Sequence, residues 1–179
     1  VDGFDPDQLM LECEKILGVL EHFETDEILF ADSEAQKNTL WSLRRKAGEA
    51  VKSQSIYKEE DTVVPRYALP QLLFHVKEIG KKYGFHSVCY GHAGDGNLHV
   101  NIIKGNLSDE QWNTELHIAI RELFTEVIKL GGTISGEHGI GLVQKPYMDL
   151  AFPKVALELM RNIKKVFDPK GILNPGKVF

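Results

Sequence analysis

The sequence predicts an α+β fold, an antiparallel sheet with its helices packed on one face, and three observations predict it. Asp95-Gly96 is a strong hairpin signal, because tight turns of this kind need positive φ, and it joins two β-like runs at 86–93 and 97–103. Two segments of helical periodicity flank that hairpin, one through Leu72, Leu73, Val76, Ile79 and Tyr83, the other through Trp112, Leu116, Ile120, Leu123, Val127 and Leu130. From 61 to 135 the elements then read strand, helix, strand, strand, helix, strand, which is the β-α-β-β-α-β ferredoxin-like plait.

Each element follows from local chemistry. Asp5-Pro6 is an N-cap followed by proline at the first helical position, opening an amphipathic helix over about 6–22 through Leu9, Cys13, Ile16, Leu17 and Leu20. Glu27–Ala31 reads as a short strand, and a second helix runs from Ser33 to about Val51 with Leu40, Leu43 and Ala47 on one face. Thr62-Val63-Val64-Pro65 is a β-rich run closed by proline, and Pro70 opens the next helix. Ser108 with Gln111 forms a capping box, Gly131-Gly132 closes the helix it opens, and Thr133–Ser135 is the last strand. A short helix is expected near 144–150 and another from Pro153. The turn-rich tail, 167–177, is expected to be ordered only against a neighbour.

The expected domains are therefore a partial first ferredoxin-like subdomain and helix at 1–60, a second ferredoxin-like subdomain at 61–135, and an active-site loop, helices and tail at 136–179. The first would be a truncated copy of the plait (strand remnant, helix, strand, helix). The chain starts at Val1 without a Met, so a longer protein of which this is a part is the expectation.

The hairpin is where chemistry concentrates. With a two-residue loop, Gly94 pairs with Asn97, Ala93 with Leu98 and His92 with His99, and opposed side chains share a face about 5 Å apart. Tyr90 and Asn101 fall on the face of the two histidines, while Cys89, Gly91, Ala93, Leu98, Val100 and Ile102 form the other, suited to lie under helices. Imidazoles plus a carboxylate are a common donor set for divalent metals. Glu137, leaving a strand through the glycine-flanked stretch 136–141, is the third ligand this suggests, and His138 beside it stays free for proton transfer. His22, His75, His86 and His117 sit on helices or at element ends and read as structural. Arg44 and Arg45 are a solvated helix face or a bidentate grip on a carboxylate.

Composition narrows the classes. The chain has 179 residues, 42% hydrophobic and 26% charged, with a formal net charge of −5 and no basic block, which argues against nucleic acid or an anionic membrane as partner. No run approaches a membrane span and no signal peptide is visible. The two cysteines, Cys13 and Cys89, fall in expected core positions, so a reducing, cytoplasmic setting is expected. There is no Rossmann fingerprint, P-loop or G-x-S-x-G elbow.

Five stretches in fixed order carry a resemblance: Trp41–Arg44, Glu60–Pro70, the hairpin, Gly136–Gly141 and Asp168–Lys177. Together they resemble the C-terminal domain of FAD-linked oxidases of the vanillyl-alcohol oxidase type, in particular glycolate oxidase flavin subunits, D-lactate dehydrogenases and D-2-hydroxyglutarate dehydrogenases. The resemblance implies two ferredoxin-like subdomains, and FAD held mainly by an N-terminal domain that lies outside this chain. It implies a small 2-hydroxy acid as substrate and leaves room for an electron-acceptor protein. By motif, His92, His99 and Glu137 are implied as ligands of a catalytic zinc or manganese, and His138 as general base beside the flavin. Arg44 is implied to bind the substrate carboxylate, Asn101 to make a polar substrate contact, and Lys58, more loosely, a second carboxylate contact. Asn174 is implied to lie in a flavin-facing tail. Where similar 2-hydroxyglutarate enzymes carry threonine one turn after the arginine, this chain has Gly48, so glycolate or D-lactate fits at least as well. The competing expectation is a free-standing metal-binding or interaction module without flavin chemistry.

Overall fold

The computed structural model, which describes residues 1–53 and 55–179, divides into two units, Val1–Ala47 and Gly48–Phe179. In the first, α1 (Pro6–Leu20) starts where the Asp5 carboxylate accepts from the amides of Asp7 and Gln8, at 3.0 and 3.4 Å. The second helix, α2 (Glu34–Ser53), opens on Ser33 and Gln36, which hydrogen-bond each other's backbone amides, and ends in the second unit. The strand expected at Glu27–Ala31 is not formed, and nor is a strand remnant at the N-terminus. Residues 1–47 hold no strand and no buried residue, so a truncated copy of the plait is not what the first unit presents. A β-prone run becomes a strand only when a partner satisfies its backbone, and Ile28–Phe30 lie beside α1 instead, with Met10, Ile16 and Leu17.

In the second unit, β1 (Tyr57–Val63), β2 (His86–Tyr90) and β3 (Asn97–Ile103) form an antiparallel sheet in the order β1-β3-β2. The α+β class is as expected, but β1 begins four residues before the predicted run at 61. The expected fourth strand shrinks to a single bridge, Thr133 to Val63. On one face, Val100 and Ile102 pack with Leu72, Val76 and Ile79 of α3 (Leu69–Tyr83) and with Ala119, Ile120, Leu123, Phe124 and Val127 of α4 (Leu116–Lys129). The α4 segment opens through the expected Ser108–Gln111 capping box and a π-helical turn at Gln111–Glu115. After Met148–Ala151 (α5) comes α6 (Lys154–Phe167). No helix among the described residues is long and apolar enough to cross a membrane.

The tail is tied to its own chain. Asp168 accepts from the amides of Ile172 and Leu173, both at 3.0 Å, and from Lys164 at 2.6 Å. Val178 N–H donates to Gly141 C=O at 2.8 Å, and Lys145 Nζ to Gly176 C=O at 2.9 Å.

The hairpin closes differently from the expectation. His92 and Asn97 exchange two backbone hydrogen bonds, at 3.1 and 3.2 Å, leaving Ala93–Gly96 as a four-residue loop, and Tyr90 rather than His92 stands opposite His99. Docking against β1 sets this register. Gly96, at φ 74°, accepts on its C=O from Val64 N–H at 3.0 Å, and a Cβ there would sit 1.9 Å from Val64 O. A slip of two residues keeps every side chain on its predicted face, because strand side chains alternate with period two.

Candidate active site

The face of the sheet away from α3 and α4 carries Glu59 and Asp61 of β1, Asn97, His99 and Asn101 of β3, and Tyr90 of β2, with His92 just beyond. The Thr133–Val63 bridge turns the chain back over the end of β1, which brings Ser135–Gly139 above Asp61. One Asp61 oxygen, Oδ2, accepts from three successive amides: Gly136 at 2.8 Å, Glu137 at 2.6 Å and His138 at 2.9 Å. The other, Oδ1, accepts from Asn97 Nδ2 at 2.8 Å. Burial of Asp61 would raise its pKa, yet the amides of His138, Glu137 and Gly136 and the Asn97 side chain outweigh it and hold the carboxyl down to about 2. Only glycine fits at 136, where a Cβ would lie 2.6 Å from Asn97 Nδ2 and 2.6 Å from Val63 Cγ2. The amides of residues 136–138 are thus all engaged by Asp61.

Anchored in this way, the loop sets Glu137 and His138 among the hairpin histidines. One donor atom each from His92, His99 and Glu137 lie within 4.8 Å of one another, and the His92 Nε2 to Glu137 Oε1 distance is 3.6 Å. Two nitrogens and a carboxylate oxygen, two of the three residues exposed and His99 buried, fit a divalent cation with coordination positions left open. His138 stacks on His99 with ring centroids 5.2 Å apart and planes at 27°. Glu59, His99 and His138 form a second group within the same 4.8 Å reach, but Glu59 is already paired with Lys52 at 2.9 Å.

Of the residues expected in the site, His92, His99, Glu137 and His138 are thus brought together. Asn101 shares their face, fully buried, with neither amide atom hydrogen-bonded. Lys58 is not brought in. Strand alternation turns it to the helix side, where its charge acts on Glu60 and on His117 of α4, and Glu59 takes the place facing His99. Arg44 lies on α2 in the first unit, its guanidinium 5.5 Å from the centre of the Trp41 ring. Asn174 sits in the tail at φ 45°, with its Oδ1 accepting from Lys177. Asp61 and Glu59 are the residues that sequence reasoning missed. Their only signal was a run of three acids, Glu59-Glu60-Asp61, entering a β-rich segment, and nothing local distinguishes that from a solvated loop.

The face of the sheet away from the helices thus groups two imidazoles and a carboxylate beside a third histidine, a donor set of the kind that divalent cations take. The comparisons make this specific. Residues 1–178 match the family model described as FAD linked oxidases, C-terminal domain, and the chain belongs to that family. It is 32% identical to a D-lactate dehydrogenase of Anaerostipes hadrus, covering 99% of this chain and 38% of that protein. It is 36% identical to glycolate oxidase subunit GlcD of Bacillus subtilis (strain 168), over 87% of this chain and 32% of that one. With a D-2-hydroxyglutarate dehydrogenase of Stutzerimonas stutzeri (strain A1501) the identity is 35%, over 93% and 37%. The chain therefore spans roughly a third of the length of these curated relatives.

Proposed function

We propose that this chain is the substrate-binding half of an FAD-dependent dehydrogenase of small D-2-hydroxy acids, working with an FAD-binding domain of the same polypeptide. The observation that carries the reading is the His92–His99–Glu137 cluster beside His138 in a chain of this family. In this reading, neutral His92 and His99 and anionic Glu137 hold zinc or manganese. When bound there, the cation lowers the pKa of the substrate's 2-hydroxyl, and the flavin supplies the hydride acceptor.

The rest of the work belongs to the side chains. His138 takes the hydroxyl proton on a ring nitrogen, a role its exposure allows. Asn101, with an unused donor and acceptor, orients the carboxylate end of the acid. Arg44 grips that carboxylate with a planar fork, and Asn174 contacts the flavin. Glycolate or D-lactate suits the site better than a dicarboxylate. The Tyr90 hydroxyl stands 3.3 Å from where a Cβ on residue 48 would be, and Glu59 and Asp61 line the same face with negative charge.

The test joins this chain to an FAD-binding domain of the family and follows dye reduction with glycolate and D-lactate. His138→Gln is expected to keep its metal and lose turnover, while Glu137→Gln loses metal and turnover together. The reverse pattern exchanges the two roles. Unchanged metal and turnover in both variants would remove the loop from the chemistry.

A further inference from the structure

His99 is the buried member of the cluster, with its side chain 8% exposed, and its Nδ1 has no aligned hydrogen-bond partner. Two carboxylate oxygens nevertheless stand near that nitrogen, Glu59 Oε1 at 3.3 Å and Asp61 Oδ1 at 3.8 Å. The Asp61 oxygen is already accepting from Asn97 at 2.8 Å, which leaves Glu59 both the nearer and the freer of the two. The other Glu59 oxygen, Oε2, is 2.9 Å from Lys52 Nζ, and that ammonium also lies 5.5 Å from the centre of the Tyr57 ring. Lys52 thus holds Glu59 from the solvent side, and the Glu59 side chain is only 15% exposed.

A neutral imidazole carries one N–H and one lone pair, and its surroundings choose which nitrogen has which. A lone pair on Nδ1 would face two carboxylates and be repelled. A proton there faces two acceptors. The structure assigns Glu59, steadied by Lys52, as the residue that keeps the proton of His99 on Nδ1 and so leaves Nε2 as the nitrogen available to a cation. Glu59 is a positioning residue, acting through His99. The Lys52 ion pair also explains why Glu59 serves as an acceptor for His99 and not as a direct ligand in the second cluster. A carboxylate behind a ligating histidine fixes ring orientation and raises its basicity, and losing one commonly weakens metal binding about 10–100-fold. This inference rests on the proposed metal site, but the tautomer can be read without any metal.

The experiment uses the 179-residue chain with 15N-labelled histidine. Long-range 1H–15N spectra at alkaline pH report the tautomer of each neutral imidazole, and Zn2+ titration reports affinity. Wild type is expected to show His99 as the Nδ1–H tautomer. Glu59→Ala should move it to a mixture or to Nε2–H, with Zn2+ affinity down about 10–100-fold. Glu59→Gln, whose carbonyl can still accept, should recover most of both, and Lys52→Met should show a smaller loss. An Nε2–H tautomer in the wild-type chain overturns the assignment outright, which keeps it testable even if Glu59→Ala fails to fold. So does a Glu59→Ala chain with unchanged tautomer and affinity. If wild type binds no Zn2+, the metal reading fails by itself, while the tautomers of wild type and variants still decide the part played by Glu59.

Discussion

Glu60 and Asp61 are neighbours on one strand and face opposite sides of the sheet, and their fates differ completely. Asp61 meets backbone amides on the loop side, and its carboxyl is held at about 2. Glu60 points into the helix-covered side, fully buried, with Gln144 Nε2 at 2.8 Å as its partner and Oε1 unpaired. Burial pushes the Glu60 carboxyl up to about 7, against the opposing pull of Gln144 and of the Lys58 charge. Burial opposes the charge on both acids, more strongly at Glu60. Asp61 finds three amides and the Asn97 side chain where Glu60 finds Gln144, so donors and depth together decide which one stays charged. Burial lifts the Tyr147 phenol to about 12, with the Glu60 charge adding to it, and the phenol oxygen lies 3.2 Å from His117 Nδ1. The charged face orders a loop, whereas the helix face tolerates an acid best when it is neutral.

The largest test of this contrast is Asp61→Ala. It strands three loop amides and the Asn97 side chain, and is expected to cost about 3–5 kcal/mol in urea unfolding and to abolish Zn2+ binding. In wild type the Asp61 contribution is present above about pH 4, the ordinary carboxylate range, and is lost as pH falls through about 2. An acid-unfolding limb no steeper in wild type than in Asp61→Asn would break the comparison on its loop side.

Glu60→Gln comes next and has the opposite sign. Because the folded carboxyl titrates near 7, its contribution is complete below its ordinary value of 4.5 and is lost as pH rises through 7. The variant should therefore match wild type near pH 5 and be more stable by about 2 kcal/mol at pH 8, read as a higher melting temperature. A difference that does not vary with pH would mean Glu60 is ionised in the fold.

Gly136→Ala sharpens the steric side of the argument. The added methyl group meets Val63, Asn97 and Asp61 at once, and a loss of about 1–3 kcal/mol together with weaker Zn2+ binding is expected. Full Zn2+ affinity in that variant would show that the loop need not be held this closely.

The smallest effect separates Lys58 from the site. Lys58→Met should leave Zn2+ affinity as it was and shift the Glu60 titration upward by less than about one unit, since only a partly screened charge is removed. A loss of metal or substrate affinity would return Lys58 to the active face.

Local rules made much of this protein legible in the sequence. Asp5 and the Ser108–Gln111 box cap helices as their residue types require, and the apolar stripes of α3 and α4 are the stripes that fill the core. The alternation from Tyr90 to Asn101 placed His92, His99 and Asn101 on one face. That survived a wrong turn length because a two-residue slip preserves parity. Tertiary structure decided whatever needed a distant partner. Glu27–Ala31 stayed out of any sheet because no strand came to meet it, and Gly96 took its register from Val64. Asp61 acquired its meaning from amides 75 to 77 residues away, and Glu59 from the end of α2 and from His99 across the sheet. A side chain's periodicity is written beside it in the chain, but its hydrogen-bond donors and the water it loses are supplied by residues that only folding brings near.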